Sequence, residues 1–555
     1  SCLMQDKTDE AYDAFFKSAW NAAWQDAAYY NLAAIDCRRG NFKKALDLID
    51  RSLVRNWHHH KARQLKVSIL RHLGRKEEAF DLIAESLKID RFNMGCRFEQ
   101  YLLTGDDHVL KEMQRLMHGA AHVYIEYALD FAQAGLYDEA INLLGGYAAT
   151  QGEVYPMVHY ALGYCHSRKG DTVKALEYYK KAEQDDHSYC FPNRIEEVLV
   201  LQDAMKENHE ACAKAAYALG NFWYAARQYD NAIACWEASA AIDPAFPTVW
   251  RNLSLAYYNK RNDPQKAVET LEKAYRLDES DARILMELDQ LYKRLGRPQA
   301  ERLAFLEAHP AETESRDDLS IERITLYNQL GRYEEAKALI AARKFHPWEG
   351  GEGKITGQYT ICHVELAKIA LREHRYADAL ALLQATDQYP YNLGEGKLIN
   401  AEENDIWYYK GLAYRGLGDE ENAKLWLHKA TQGSAEPQQA FFYNDAQPDK
   451  IFYQGLAWRA LGEEDKARGR FNKLIKHGEK HLFDHCRIDY FAVSLPDLAI
   501  WEDNLDKRNA IHCNYVMGLG YLGLEDRVHA IEYLDKARAL DINHQGAQIH
   551  RELCE

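Results

Sequence analysis

Gly518-Leu519-Gly520-Tyr521-Leu522-Gly523 carries the GxGxxG spacing with which a dinucleotide site turns backbone N–H groups toward a pyrophosphate. That chemistry needs a strand before the motif and the glycine turn at the opening of a helix. Here the periodicity starts a helix near Asn509 and leaves the glycines well inside it, so no cofactor is expected. His477, His481 and His485 stand four residues apart with Asp484 and Cys486 adjacent, a spacing that can bring two imidazoles to one metal ion. Gly478 is expected to interrupt the helix such a site requires, and no metal is assigned. His58-His59-His60 would point in three directions on a helix and suits a solvated turn between helices. HExxH, EF-hand and GxSxG patterns are absent from the sequence, so no catalytic residue is assigned and the chain is read as non-enzymatic.

Two glycine-rich stretches are copies of one another: Pro347, Trp348 and Gly351-Glu352-Gly353-Lys354 recur 43 residues later as Pro390, Tyr391 and Gly394-Glu395-Gly396-Lys397. They are not phosphate-binding loops, because Trp348 and Tyr391 stand where the first glycine belongs and no Ser or Thr follows either lysine. Two readings stay open. One is a long connection that uses glycine to turn back. The other is a paired platform in which Trp348, Glu352, Lys354, Tyr391, Glu395 and Lys397 offer two aromatic faces, two carboxylates and two ammonium groups to a sugar, a peptide or a neighbouring domain.

Such residues must be positioned by helices, and a spacing shows how. A small residue is followed twelve positions later by alanine at Ala33/Ala45, Ala128/Ala140, Gly163/Ala175, Gly220/Ala232, Ala367/Ala379, Gly411/Ala423, Gly455/Ala467 and Gly518/Ala530. Ser254/Ala267 adds one residue, and Val67/Ala79 and Ile324/Ala336 keep the spacing with a larger first member. Antiparallel helices approach closely only where both carry small side chains. Trp223, Tyr257, Tyr414, Trp458 and Tyr521, three residues after the small residue, are expected to fill the gaps beside these contacts. Turn signals such as Arg39-Gly40-Asn41 and Leu417-Gly418-Asp419 separate the two helices.

Composition bounds the partner. The 555 residues include 69 Lys+Arg against 85 Asp+Glu, a formal charge of −16, which disfavours nucleic acid and anionic lipid. No apolar run approaches the ~20 residues that span a bilayer. The 11 cysteines are scattered from Cys2 to Cys554 without a CxxC pair, which points to a reducing, cytoplasmic setting. With 36 tyrosines against 12 prolines, the chain is neither disordered nor loop-dominated.

The repeat resembles the tetratricopeptide repeat (TPR) family, most closely at Trp407, Gly411, Tyr414, Gly418, Ala423, Leu427 and Ala430, and again at Trp250, Leu253, Tyr257, Ala267, Leu271 and Ala274. The resemblance implies an all-α fold, a right-handed superhelical solenoid of antiparallel helix pairs with about 13 units. Inserted stretches are expected near 183–211, 343–358, 386–403, 431–448 and 478–508, with no single compact boundary. Residues 1–23 are read as a truncated first repeat, residues 1–10 holding only the tail of its first helix. Repeats then occupy 24–345, 346–403 with the duplicated loops on either side, and 404–542, and 543–555 forms a helical cap. In the TPR family the first-helix face lines a concave groove. The resemblance therefore implies a partner-binding stripe of Tyr30, Tyr160, Tyr217, Tyr408, Phe452 and Tyr515, three residues before the small residue, with Arg251 at the same register. Tyr164, Tyr224, Tyr258, Arg168, Arg415 and Arg459 stand beside it. The expected role is a protein-interaction scaffold for a protein or peptide segment.

A second resemblance rests on residues 9–15 running into Trp20-Asn21-Ala22-Ala23-Trp24, on 345–354 and on 488–497. These stretches are similar to a bacterial family without assigned function in which a TPR array follows a β-rich, sugar-mutarotase-like domain. That likeness implies two further expectations: that such an upstream domain docks in cis, or that the array is the accessory half of a carbohydrate-active enzyme, with carbohydrate as a partner.

Overall fold

A computed structural model describes residues 2–208, 211–348, 350–439, 445–487 and 500–555. Residues 488–497, which carry part of the second resemblance, lie outside the described residues, as does Glu349. Among the described residues the chain is 73% helical with no strand, so the β-rich domain of the resembled family has no counterpart there. Thirteen antiparallel helix pairs among the described residues run from Gln25–Arg38 with Phe42–Arg55 to Leu505–Gly523 with Arg527–Leu540. Thr8–Ser18, Ile195–Glu207, Pro310–Ser315 and Gln545–Glu552 stand outside the pairs. Residues ahead of Thr8–Ser18 form a separate 3-10 turn, Leu3–Gln5, in place of the expected helix tail.

Local signals set the boundaries. Asp171, Asp263, Asp419, Asn504 and Asp526 each accept a backbone N–H at a helix start, satisfying one of the orphan donors there. Between paired helices the backbone passes through the left-handed region, at Gly418 with φ 80° and Gly462 with φ 84°, a conformation glycine adopts without strain.

The small residues seat the neighbouring helix. A Cβ on Gly163 would collide with Tyr179, on Gly220 with Trp236, and on Gly455 with Phe471. Each blocking ring stands four residues after the paired alanine, on the second helix. The residues three after the small residue instead sit at the edge of the contact, with only Tyr257 buried among the five expected. Gly518, Gly520 and Gly523 serve the same packing purpose, against Leu534, Ile475 and Phe471, which accounts for the GxGxxG spacing.

The chain divides into two compact units, Ser1–Leu253 and Ser254–Glu555, where a continuous array without a boundary was expected. The reason lies inside each unit: winding returns late repeats to early ones. In the first, Arg38 Nη2 donates to the Gln133 carbonyl at 3.1 Å and Arg168 pairs with Asp6 at 2.6 Å. In the second, Asn259 Nδ2 donates to the Ile500 carbonyl at 2.9 Å and Gln329 Nε2 to the Asn543 carbonyl at 2.8 Å.

Candidate functional site

The second unit holds two adjoining clefts, both walled by the first helices of successive pairs. The larger, of about 1300 Å3, is lined from Lys354–Arg372 by Gly357, Ile361 and Val364, from the next pairs by Asp405, Asp449 and Tyr453, and from Leu505–Gly523 by Arg508, His512 and Tyr515. The smaller, of about 1130 Å3, lies among Asp289, Lys293, Glu322, Trp348, Lys354 and Gln358. Arg508, Ile511 and Asp541 border both.

Spacing explains who reaches the larger cleft. Ile361, Asp405, Asp449 and His512 each stand six residues before the small residue of their helix. Gly357 and Arg508 on their helices, and Ala401 and Asp445 just ahead of theirs, stand ten before it, and all eight are lining residues. Positions four apart share a helix face, so the lining stripe is one turn earlier than the aromatic stripe read from the sequence. The register six before the small residue was the available signal, filled by Ile361, Asp405, Asp449 and His512 without a common chemistry.

The expected groove residues consequently spread over several environments. Tyr515 lines the larger cleft, and Tyr258 lines the smaller with its ring edge-on to Trp501. Tyr160 is fully buried: its hydroxyl donates to Glu183 at 2.7 Å, and Glu183 in turn accepts the backbone N–H groups of Lys214 and Ala215 at 2.9 Å each, at the start of the helix Ala213–Ala225. Tyr30 is buried against His59, Tyr217 against Phe246, and Phe452 against Phe471 and His550. Tyr224 touches Tyr229 and Trp236. Tyr164 and Tyr408 are half-buried on the core. Arg251 Nη1 donates to Asn252 Oδ1, Arg415 Nη2 to the Ala460 carbonyl, and Arg459 pairs with Glu464 and Glu525. These contacts are within and between repeats.

The duplicated loops meet each other. The backbone N–H of Gly353 donates to Glu395 at 2.9 Å, the N–H of Phe345 donates to the Asn392 carbonyl at 2.8 Å, and Asn392 Nδ2 donates to the carbonyls of Ile340 and Arg343. Lys397 is held by Glu403 and donates to the Thr386 carbonyl. Glu352 and Glu395 line the larger cleft, and Trp348 and Lys354 the smaller, where burial lowers the ammonium pKa of Lys354 with help from Lys293. Tyr391 projects into solvent, 88% exposed.

Electrostatics differ between the clefts. Among the described residues the larger is lined by nine carboxylates against Lys450 and Arg508. Lys450 bridges Asp405 at 2.7 Å and Asp449 at 3.2 Å, and Lys368 neutralises Glu365 from behind at 2.7 Å. The smaller is close to balanced and is floored by a buried network. There Arg302 donates to both Asp289 oxygens at 3.0 and 2.6 Å and to Glu322 at 2.7 Å, and Lys293 reaches Glu322 at 2.9 Å. Burial works to raise the Glu322 carboxyl, but Lys293 and Arg302 outweigh it and hold it at about 2.

Two histidines of the cluster pair with carboxylates. His481 Nδ1 lies 2.6 Å from Asp484 and His485 Nδ1 2.8 Å from Asp506, and among the described residues no group of three ligating side chains converges. Gly478 does not break the helix, which runs Glu464–His481; a side chain there would strike Met517 and the Cys513 carbonyl, so glycine permits the close approach of the next helix. His59 caps its helix by accepting the Ala62 N–H. No helix among the described residues is long and apolar enough to cross a membrane.

Residues 127–189, 213–282 and 364–437 match the tetratricopeptide repeat family model. Among solved structures, MamA 41-end from Desulfovibrio magneticus RS-1 is 21% identical, covering 36% of this chain and 97% of that chain with a TM-score of 0.21. YrrB, described as a TPR protein with an unusual peptide-binding site, is 15% identical over 43% of this chain and 96% of its own, with a TM-score of 0.17. The Cut9–Hcn1 hetero-tetramer of the APC/C is 12% identical over 95% of this chain and 96% of that chain, with a TM-score of 0.25. The chain, all-helical among its described residues, thus carries tetratricopeptide repeats in the three stretches that the family model matches.

Proposed function

We propose that the protein is an interaction module whose second unit holds an extended segment of a partner protein in the larger cleft. Tetratricopeptide repeats bind proteins or peptides, and helical solenoids present extended concave surfaces for that purpose. The observation that carries the reading is the common wall: five consecutive first-helix or capping segments, from Lys354–Arg372 to Gln545–Glu552, turn side chains into one cleft of about 1300 Å3. That exceeds the ~300–1,000 Å3 of small-molecule pockets.

Gly357 supplies the test. It lines the cleft, and a Cβ built there meets nothing within 4 Å, so Gly357→Trp fills the cleft without touching the packing between helices. Dodecapeptides selected from a random display library on the full chain are expected to lose at least tenfold in affinity for this variant, with helicity and thermal midpoint unchanged. Undiminished binding to Gly357→Trp overturns the assignment of the cleft.

A further inference from the structure

Resting on that reading of the cleft, the chemistry of its wall specifies the segment. Nine carboxylates face two cationic side chains among the described lining residues, and setting Asp445 aside and crediting Lys368 and Lys397, which pair with Glu365 and Glu403 from outside the lining, still leaves carboxylates in excess. An acidic wall alone would mean only a solvated surface, but two acceptors in it are independently unsatisfied. His550 lines the cleft and is 4% exposed. Its Nδ1 lies 2.8 Å from the Gly546 carbonyl, an oxygen that can only accept, and 3.2 Å from the Tyr515 hydroxyl, which can donate or accept; the shorter contact places the proton on Nδ1, so Nε2 presents a lone pair. That Nε2 has no protein partner among the described residues. Glu402 accepts the Ser434 N–H at 2.8 Å through Oε1, while its buried Oε2 has no partner either. Unpaired buried acceptors are costly, and both ask for a donor.

A donor-rich, positively charged ligand meets every one of these conditions, whereas an acidic or purely apolar one worsens them. We propose that the larger cleft receives a lysine- or arginine-bearing stretch of a partner protein, whose ammonium or guanidinium groups neutralise the surplus carboxylates and donate to Glu402 Oε2 and His550 Nε2. Both acceptors are buried, and ligand entry reaches them through the rotamer changes common at interfaces. Gly357 and Gly396, each with open space where a Cβ would stand, let the backbone of the segment approach the wall.

The experiment uses the full chain and labelled dodecapeptides, alternating Lys-Ala and alternating Glu-Ala, with spermine as a third probe, alongside the random-library selection. The Lys-Ala peptide is expected to bind, to weaken as salt rises from 50 to 300 mM, and to lose roughly tenfold on Glu402→Gln, which puts a donor where the free acceptor stands. Gly357→Trp is expected to abolish binding. Equal or tighter binding of Glu-Ala overturns the proposal, as does an unchanged affinity of Glu402→Gln at native helicity. Binding of spermine without either peptide overturns the commitment to a protein segment. Library peptides that are neutral or acidic yet blocked by Gly357→Trp overturn the charge assignment and leave the cleft as a peptide site; basic peptides that Gly357→Trp does not block overturn the cleft itself.

Discussion

Gly455 and Gly357 are both helical glycines that meet opposite surroundings. At Gly455 a Cβ would collide with the Phe471 ring, whereas at Gly357 it meets open space. Gly455→Val should therefore cost about 1–3 kcal/mol through overpacking, while Gly357→Ala should gain up to about 1 kcal/mol from helix propensity. Urea unfolding of the two variants checks this, and a Gly455→Val protein as stable as the parent would show that the pairing does not depend on close approach there. The same contrast marks what was readable at this scale. Packing glycines announce themselves by the twelve-residue spacing to alanine, because contact distance restricts residue type. Cleft residues carry no such restriction: Ile361, Asp405, Asp449 and His512 share a register but not a chemistry. The aromatic residues one turn later drew attention instead, and Tyr160, Tyr217 and Phe452 are recurrent because they pack neighbouring elements. Glu402 and His550 stand on an inserted stretch and on the terminal cap, where no repeat phase applies.

Helix pairs were legible from local pattern, and their closure was not, since the closing contacts join residues 95 and 162 positions apart in the first unit and 214 and 241 apart in the second. Arg302 on Gln299–Glu307 has no exposed side-chain surface, and its Nη1 reaches Asn543 Oδ1 at 3.1 Å while its other nitrogens hold Asp289 and Glu322. Asn543 also donates through Nδ2 to the Lys293 carbonyl at 3.2 Å. One guanidinium thus ties two early pairs of the second unit to the segment before its cap. Arg302→Met leaves Asp289 charged and unpaired in the interior, and the expected loss is about 3–5 kcal/mol. Replacing both ends, as in Asp289→Leu with Arg302→Met, should recover most of it, because the stranded Asp289 carboxylate is gone and Glu322 keeps its Lys293 partner. A double variant as unstable as the single one, by urea midpoint, would assign the loss to broken closure and not to the stranded carboxylate.

At the scale of the whole molecule, open solenoids gain stability repeat by repeat from nearest neighbours, whereas each unit here adds contacts between its distant repeats, and both units bury ionisable groups while doing so. His187 in the first unit and His550 in the second are 5% and 4% exposed, and burial pushes each imidazole down to about 4 against the opposing pull of Asp185 on the one and Asp449 on the other. An unfolded chain, with ordinary histidines near pH 6.5, binds these protons first, so each group's contribution is complete above pH 6.5 and is lost as the pH falls toward 4. Depth of burial makes the loss on the order of 2–3 kcal/mol per histidine. Glu139 and Glu322, held at about 2 chiefly by arginine, lysine and histidine partners that overcome burial, act in the same direction but lower, between about pH 4.5 and 2. Relief of the −16 self-repulsion opposes both, yet it comes from surface carboxylates that titrate near pH 4, after the histidines have begun to protonate. The thermal midpoint should accordingly fall between pH 6.5 and 4.5, before any carboxylate effect, and His550→Gln should flatten that fall for the second unit. A midpoint constant from pH 7.5 to 4.5 would show that these imidazoles are not held neutral by the fold.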